Sequence, residues 1–239
     1  MALAPGSALA GTPQPGREGS LPERFTWSSS GPLISPKPDA GHPILAVEDP
    51  TVFRYRDGWH VYFTTADTAG RWSLGYTSFA RWSEAGSAPQ TFLDATPDIG
   101  SRYAAAPQIF SFAPQETCNV YRLGDGHLML VEALATGSDW RRYFRAWTAD
   151  SPGGTRKPLA DTEANPCARS SNVAFEAGQP AWTRDFSHGE MIRARRRPDP
   201  HDRSVPPSVP PQGMDPASSG EYHRLPWRLA LLTQTNPTC

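Results

Sequence analysis

The sequence predicts an all-β fold of the β-propeller type, and three observations support this. Short runs rich in β-branched and aromatic residues are separated by Gly, Pro, Asp or Ser. An Asp-Gly pair joins two such runs at Asp57-Gly58 and again at Asp125-Gly126, which is a hairpin signal. No long stretch shows the 3.6-residue periodicity of a helix. Repeated hairpins of this size are typical of propeller blades, which are four-stranded sheets around a central channel.

The composition indicates a packed domain with irregular segments. The chain has 239 residues, enough for one large or two small domains, and a low mean hydropathy of −0.53. Its 26 Pro and 20 Gly are unevenly spread. A net charge of −1 argues against a nucleic-acid or membrane-surface partner recognised by bulk electrostatics. No apolar run reaches the length of a membrane-spanning helix.

The N-terminal residues 1–22 are expected to form a disordered leader. They lack a basic segment followed by an apolar one, so no intact signal peptide is expected there. The domain is expected to occupy 23–239. The predicted strands within it are 51–55, 59–65, 73–79, 108–112, 119–123, 127–132, 143–148 and 228–233.

The segment 194–211 differs from the rest, because a basic run is followed by a Pro-rich run with no alternation. A solvated irregular loop is the favoured interpretation. A basic nucleic-acid or targeting patch is the alternative, although four Arg in five residues are a weak signal.

The three cysteines, Cys118, Cys167 and Cys239, have neither metal-binding spacing nor an obvious pairing. An odd count leaves a free thiol or a thiol whose partner has been lost. Their pairing stays open at the level of sequence.

Two carboxylates, Asp49 and Glu116, stand where predicted strands begin. The innermost strand of each propeller blade lines the central channel, so acids at such positions can converge on one pocket. A pair of carboxylates facing a cleft is the machinery of glycoside hydrolysis, with one as acid and one as base. The alternative is that both are ordinary turn or edge residues.

Several long ungapped runs resemble the fungal and bacterial α-L-arabinofuranosidases of glycoside hydrolase family 62. They include RFTWSSSGPLISPKPDAGHPILAVEDPTVFRYRDGWHVYFTTAD, GSDWRRYFRAWTA, PLADTEANPCAR, WTRDFSHGEMIR and YHRLPWRLALLTQTN. The resemblance covers 21–193 and 212–239. It implies a five-bladed propeller that removes L-arabinofuranose side groups from arabinoxylan, and more weakly from arabinan, by an inverting mechanism. It also implies a secreted protein that needs no cofactor, and a monomer is expected.

The resemblance assigns roles to five residues. Asp49 matches the general base, and Glu116, in ETCNVYR, matches the general acid. Arg145 and Tyr222 match residues that bind the sugar in the pocket, although both could instead be packed strand residues. His188 matches a histidine near the channel axis, where the family often holds a structural calcium ion. A buried, hydrogen-bonded histidine is the alternative, because calcium prefers oxygen ligands.

The sequence also departs from the family pattern. Between FAPQ and ETCNVY the family has about two more blades, at ~40–50 residues each, so an internal deletion is predicted at 115/116. The absent stretch carries the third catalytic carboxylate. Glu48 stands where the family usually has Lys, and a second acid there is expected to raise the pKa of Asp49. Ala104 stands in place of Arg.

The resemblance adds a third interpretation of the segment 194–211. Under one choice of codons, residues 196–204 read one nucleotide later encode Asp-Asp-Gln-Thr-Leu-Thr-Ile-Asp, which resembles a strand of the family. A frame-shifted segment would explain the Pro-rich texture and the odd cysteine count.

Because deleted blades expose sheet edges, the chain is expected to fold poorly and to have little activity. A non-catalytic carbohydrate-binding or inactive remnant is therefore the competing interpretation. Another propeller glycosidase, such as an arabinanase or a β-xylosidase, is a further alternative.

Overall fold

A computed structural model describes residues 22, 24–96, 100, 103–107, 120–123, 126–137, 141–151, 154–177, 180–192 and 208–236. In chain order the strands are β1 (Trp27–Ser29), β2 (Ile44–Tyr55), β3 (Gly58–Asp67), β4 (Trp72–Phe79), β5 (Thr91–Phe92), β6 (Val120–Leu123), β7 (Gly126–Leu134), β8 (Arg142–Ala149), β9 (Lys157–Ala160), β10 (Val173–Phe175), β11 (Ser187–Gly189), β12 (Ser208–Val209), β13 (Pro211–Gly213), β14 (Arg228–Leu229) and β15 (Leu232–Gln234). Single turns of 3₁₀ helix occur at Trp82–Glu84, Ser170–Asn172 and Tyr222–Arg224.

The strands form four sheets, which confirms the all-β class for the described ranges. Two sheets are antiparallel meanders in chain order, β2-β3-β4-β5 and β6-β7-β8-β9. The third has the order β10-β1-β15-β12 and the fourth β11-β13-β14. The count of five blades and their closure around a channel stay predictions.

The first predicted hairpin is confirmed, with its turn one residue earlier than the Asp-Gly signal indicated. Tyr55 pairs with Gly58, so the two turn residues are Arg56 and Asp57. Arg56, rather than the glycine, adopts the left-handed backbone with φ of 53°. The second hairpin joins β6 to β7, as predicted.

Two predictions near the C-terminus need correction or lie outside the described residues. The single strand expected at 228–233 is divided into β14 and β15, which belong to different sheets. The segment expected to be irregular, 194–211, contributes β12 and the start of β13 at its end. Residues 193–207 and the predicted strand 108–112 lie outside the described ranges, as do all residues of the expected leader except Pro22.

The sheet around β1 joins distant parts of the chain. β1 is parallel to β10 and antiparallel to β15, so that Trp27 lies opposite both Val173 and Gln234. The indole N–H of Trp27 also donates to the carbonyl of Cys167, at 2.7 Å. Since these partners are far apart in sequence, this sheet fixes the ends of the described chain relative to each other.

Two large clusters of buried side chains form the core. One joins Leu128, Leu130 and Phe144 of β7 and β8 to the sheet around β1. The other packs the inner face of β2, β3 and β4 against Ile34 and Leu229. The small β11-β13-β14 sheet contacts β2, and β11 also contacts β8. The small sheet thereby joins β2 to the sheet that contains β7 and β8.

Cys167 lies within the first of these clusters. It is a free thiol, and burial raises its pKa to about 12. A protonated, buried thiol is chemically inert at neutral pH. Cys118 and Cys239 lie outside the described residues. Within the described ranges, no helix has the length and apolar character needed to cross a membrane.

Candidate active site

A cavity of about 310 Å³ opens where strands of three sheets meet. It is lined by Asp49, Pro50, Ala106, Leu130, Glu132, Phe144, His188, Gly189 and Glu190. The lining includes three acidic side chains and one imidazole, and these come from β2, β7, β11 and the residues that follow β11.

Asp49 lies where β2 departs from regular pairing. The register with β3 shifts between Glu48 and Thr51, and Asp49 adopts a φ of 47°. Its backbone N–H donates to the Oε1 atom of Gln212, at 2.6 Å. The side chain retains 14 % of its exposure, so its carboxylate is accessible from the cavity. The bulge therefore turns an acid out of the strand and into the pocket.

His188, on β11, contacts Asp49 directly at the wall of the cavity. Its Nδ1 atom lies 3.2 Å from Oδ1 of Asp49 and 3.4 Å from Oε2 of Glu132. Its backbone is also left-handed, with φ of 28°. One imidazole nitrogen thus lies between two carboxylates that belong to different sheets.

A third residue of the cavity wall, Ala106, has a φ of 51°. Its N–H donates to the hydroxyl of Thr64, at 2.7 Å. Within the described ranges, four non-glycine residues have positive φ, and three of them line this cavity. Such conformations cost about 1–3 kcal/mol each and concentrate at functional sites. Their clustering marks the cavity as the candidate active site.

Glu132 accepts hydrogen bonds from several donors around the cavity. Nη1 of Arg142 lies 2.7 Å from Oε1, and the backbone N–H of His188 lies 2.8 Å from Oε2. The hydroxyl of Ser187 lies 3.2 Å from both oxygens. Through these contacts the carboxylate holds three neighbouring residues in place.

Gln212 and Tyr222 form a second group behind Asp49. Gln212 is fully buried, and its Nε2 atom lies 3.3 Å from the hydroxyl of Tyr222. The guanidinium of Arg142 lies over the ring of Tyr222, 4.9 Å from its centroid. Burial raises the pKa of Tyr222, and nearby Glu48 adds to the effect. Tyr222 is therefore a neutral hydrogen-bonding partner at any physiological pH.

Glu48, the residue before Asp49, is 2 % exposed. Burial raises its pKa to about 8; the charge of Asp49 raises it further and Arg142 opposes the shift. The effect of this pair on Asp49 stays a prediction from the sequence; in the structure it is Glu48 whose pKa is raised. Because Glu48 is the more deeply buried of the two acids, it carries the proton at neutral pH.

The structure brings together three of the five predicted site residues. Asp49 and His188 contact each other across the cavity, and Tyr222 reaches Asp49 through Gln212. Glu116 lies outside the described residues.

Arg145 lies apart from this group. It pairs opposite Val131 on β7, whereas Glu132 is the next residue along and points to the other face of the sheet. Its Nε atom donates to the carbonyl of Asp161, and its guanidinium lies over the ring of Trp147, 4.8 Å from the centroid. Arg142, three residues earlier, is the arginine that contacts the site.

Sequence reasoning missed Glu132, Arg142 and Gln212. A signal for Glu132 was available, because it is an acid in the otherwise apolar run LMLVEAL. Sequence alone could not show which of the arginines at 141, 142 and 145 reaches the site, because that depends on the register of β8. Gln212 follows a Pro-rich run and offered no local signal.

The described donors do not fit a calcium cage. The Nδ1 atom of His188 is engaged by Asp49 and Glu132, and Glu132 is in turn bound by Arg142 and Ser187. One oxygen of Glu190 accepts from Thr51. No group of three or more metal-binding side chains occurs among the residues that the structure describes. Calcium at His188 stays a prediction, and no chemical step depends on it.

An all-β chain in which separate sheets contribute carboxylates to one cavity has the architecture and chemistry of a glycoside hydrolase. Comparison with known proteins identifies the family. The model of glycosyl hydrolase family 62 matches residues 115–233. The catalytic domain of the Coprinopsis cinerea family 62 α-L-arabinofuranosidase is 33 % identical and has a TM-score of 0.79. The match covers 92 % of this chain and all of that one. The chain belongs to glycoside hydrolase family 62.

Two further relatives agree with this assignment. The α-L-arabinofuranosidase of Podospora anserina, solved with cellotriose, is 30 % identical with a TM-score of 0.78; the match covers 92 % of this chain and 99 % of that one. Alpha-L-arabinofuranosidase C of Cellvibrio japonicus is 29 % identical over 322 aligned positions, covering 91 % of this chain and 48 % of the relative. The chain thus spans about half the length of this curated relative.

The last alignment bears on the predicted deletion. It runs over 322 positions but takes in 91 % of a 239-residue chain, so roughly a third of the aligned positions have no counterpart here. The family-model match begins at residue 115, beside the predicted join.

Proposed function

We propose that this protein is an α-L-arabinofuranosidase that hydrolyses L-arabinofuranosyl side groups of arabinoxylan, and of arabinan more weakly, with inversion. The observation that carries the proposal is the left-handed Asp49, held by Gln212 so that its carboxylate faces a cavity with two further strained residues. Family membership adds that its relatives are α-L-arabinofuranosidases.

In this proposal Asp49 is the general base. An inverting enzyme needs a carboxylate that holds a water molecule on the face of the sugar opposite the leaving group. Asp49 is partly exposed to the cavity, and His188 and Gln212 fix its side chain and its backbone. The base removes a proton from the water as its oxygen attacks the anomeric carbon.

Glu116 is proposed as the general acid that protonates the departing sugar oxygen. The two carboxyl groups would lie about 6.5–9.5 Å apart, which leaves room for the water. Glu132 is a poorer candidate for this role. It contacts the same imidazole nitrogen as Asp49, and its oxygens are already occupied as acceptors of hydrogen bonds from Arg142, Ser187 and His188.

The proposed substrate is a polysaccharide. One relative was solved with cellotriose and another, 27 % identical, with xylotriose, which are both short chains of linked sugars. A xylan main chain carrying arabinofuranosyl groups combines such a chain with the sugar that the family releases. A polymer of this size is degraded outside the cell, so secretion belongs to the proposal.

The test is arabinose release from wheat arabinoxylan by the purified full chain, beside Asp49→Asn and Glu116→Gln. The parent is expected to release arabinose, and each substitution is expected to lower the rate by ~10²–10⁴-fold, the usual contribution of one acid or base group. Arg54→Lys, at an exposed position of the same strand and outside the cavity lining, serves as the matched control. Release that survives both acid substitutions would contradict the proposal.

A non-catalytic sugar-binding or inactive remnant is the second candidate. The observation that favours it is the large share of aligned positions with no counterpart in this chain. Soluble, cooperatively folded protein that binds xylo-oligosaccharides but releases no arabinose would establish this alternative.

A further inference from the structure

The carboxylate of Glu132 has no role in the proposed reaction, although it binds Arg142, Ser187 and His188 at the site. It lies on β7, and its contacts cross to β11 of another sheet. The residue it holds there is His188, whose own contact with Asp49 crosses to β2 of a third sheet. Glu132 therefore stands at one end of a chain of contacts that leads to the proposed base.

His188 would not keep its conformation without such support. A φ of 28° is unfavourable for a residue with a Cβ atom, and it persists only where neighbours enforce it. The backbone N–H of His188 donates to Oε2 of Glu132, and this bond fixes the peptide on the N-terminal side of the strained residue. Arg142 and Ser187 bind the same carboxylate and prevent it from turning away.

The same arrangement selects the tautomer of the imidazole. Nδ1 of His188 lies close to three oxygens: Oδ1 of Asp49, Oε2 of Glu132 and the hydroxyl oxygen of Ser187. The two carboxylate oxygens are hydrogen-bond acceptors, and because Ser187 directs its one proton to Glu132, its oxygen also faces Nδ1 as an acceptor. A nitrogen that faces such acceptors carries the proton, so Nδ1–H is the donor and Nε2 is left without that proton in the neutral ring.

We propose that Glu132 is a positioning residue: it holds the strained backbone and the Nδ1–H tautomer of His188 so that the imidazole orients the carboxylate of Asp49. This inference rests on the proposed function only for its effect on catalysis. The placement of His188 by Glu132 stands whether or not the chain is active.

The decisive experiment is nuclear magnetic resonance of the ¹⁵N-labelled full chain at one fixed pH, observing the imidazole nitrogens. The His188 signals are assigned by their loss in His188→Gln. In the parent we expect the Nδ1–H tautomer and a clear shift of the His188 signals on Asp49→Asn. In the Glu132→Gln background, the same Asp49→Asn change should move the His188 signals by less than half as much. We call this response of the His188 signals to Asp49→Asn the coupling between the two residues. A general loss of stability would not remove the coupling selectively.

Glu163→Gln is the matched control, because Glu163 forms an equally short bridge to Arg169 and lies outside the cavity lining. It should leave the coupling unchanged. If Glu132→Gln does not fold, Ser187→Ala removes one hydroxyl from the same carboxylate and should reduce the coupling in the same direction. An undiminished coupling in the Glu132 variant, or in Ser187→Ala where only that variant folds, would overturn the inference.

Kinetics on an aryl arabinofuranoside complete the test. If the chain is active, Glu132→Gln should lower kcat by about tenfold or more with little change in KM, because it disturbs the base and not the bound sugar. Coupling present in an inactive parent would refute the proposed function and leave the positioning role intact.

Discussion

At the scale of the residue, the main finding is that two adjacent acids on β2 have different environments. Asp49 faces the cavity and is held through its backbone, while Glu48 is buried beside it and its Oε1 atom has no hydrogen-bond partner among the described residues. Burial disfavours the charged form of a carboxyl group. The neutral form of Glu48 therefore predominates at neutral pH, and this buried neighbour adds no negative charge beside Asp49.

Glu48 makes the stability of the protein depend on pH. Its pKa is about 8 in the folded chain, against 4.5 for an ordinary glutamate. Between these values the folded state binds more protons than the unfolded state, so the free energy of unfolding falls as the pH rises, by about 1.4 kcal/mol per pH unit. Below pH 4.5 both states are protonated, so the pH dependence ends and this stabilisation is fully present; it is lost as the pH rises through about 8.

The measurement is urea denaturation from pH 5 to pH 8 for the parent and Glu48→Gln. The amide is always neutral, so the variant should lose this part of the pH dependence and be the more stable of the two at pH 8. Glu176→Gln, at an exposed position, is the control and should follow the parent curve. Parallel curves for the parent and Glu48→Gln would contradict the prediction.

At the scale of the element, the β3–β4 pairing is set by one close approach. Gly75 lies opposite Phe63, whose ring is completely buried. A Cβ atom at position 75 would lie 2.3 Å from Cε2 of that ring. The phenylalanine therefore packs across the strand into space that only a glycine leaves open.

We expect Gly75→Ala to lower the free energy of unfolding by about 1–3 kcal/mol, because the ring must leave its position in a packed core. Gly31→Ala is the matched control. Its added methyl group would meet only Oε2 of Glu176, at 4.0 Å, and its effect should stay within about 0.5 kcal/mol. Equal midpoints of thermal unfolding for the two variants would show that the ring adjusts without cost.

The strands that sequence could predict are those whose pairing is local. The hairpins β2–β3 and β6–β7 follow from alternation and a turn signal, and both were found. The partners of β1 could not be predicted, because the run Trp27–Ser29 is three residues long and its neighbours lie far away in the chain. The residues of the candidate site show the same difference between local and tertiary signals. Asp49 belongs to a recognisable motif, whereas Gln212 reaches it only through the tertiary fold.

At the scale of the whole molecule, the chain retains a buried core although roughly a third of the positions aligned with one relative have no counterpart. Apolar side chains remain uncovered on both faces of β7: Val131 is 39 % exposed on one face and Leu134 is 57 % exposed on the other. Exposed apolar side chains on a sheet favour association between molecules. These two exposed side chains are the physical basis for expecting the chain to associate in solution.

Replacing Val131 with Thr and Leu134 with Lys should therefore raise the soluble fraction without loss of stability. The measurement is the protein left in the supernatant after ultracentrifugation, together with light scattering and the thermal midpoint. Val61→Thr, at a buried position of β3, should instead lower the midpoint because it places a hydroxyl in the core. An unchanged soluble fraction in the double variant would show that aggregation begins elsewhere.

The sheet around β1 has a consequence for how the chain could be reconnected. The hydroxyls of Thr26 and Thr235 lie 2.9 Å apart, and the N–H of Thr235 donates to the carbonyl of Thr26, at 2.8 Å. A short linker between these positions, with a new opening in the Arg56–Asp57 turn, would give a circular permutant that keeps every described strand pairing. In that permutant the pairing of β1 with β15 would become a local hairpin and could form early in folding instead of waiting for the rest of the chain.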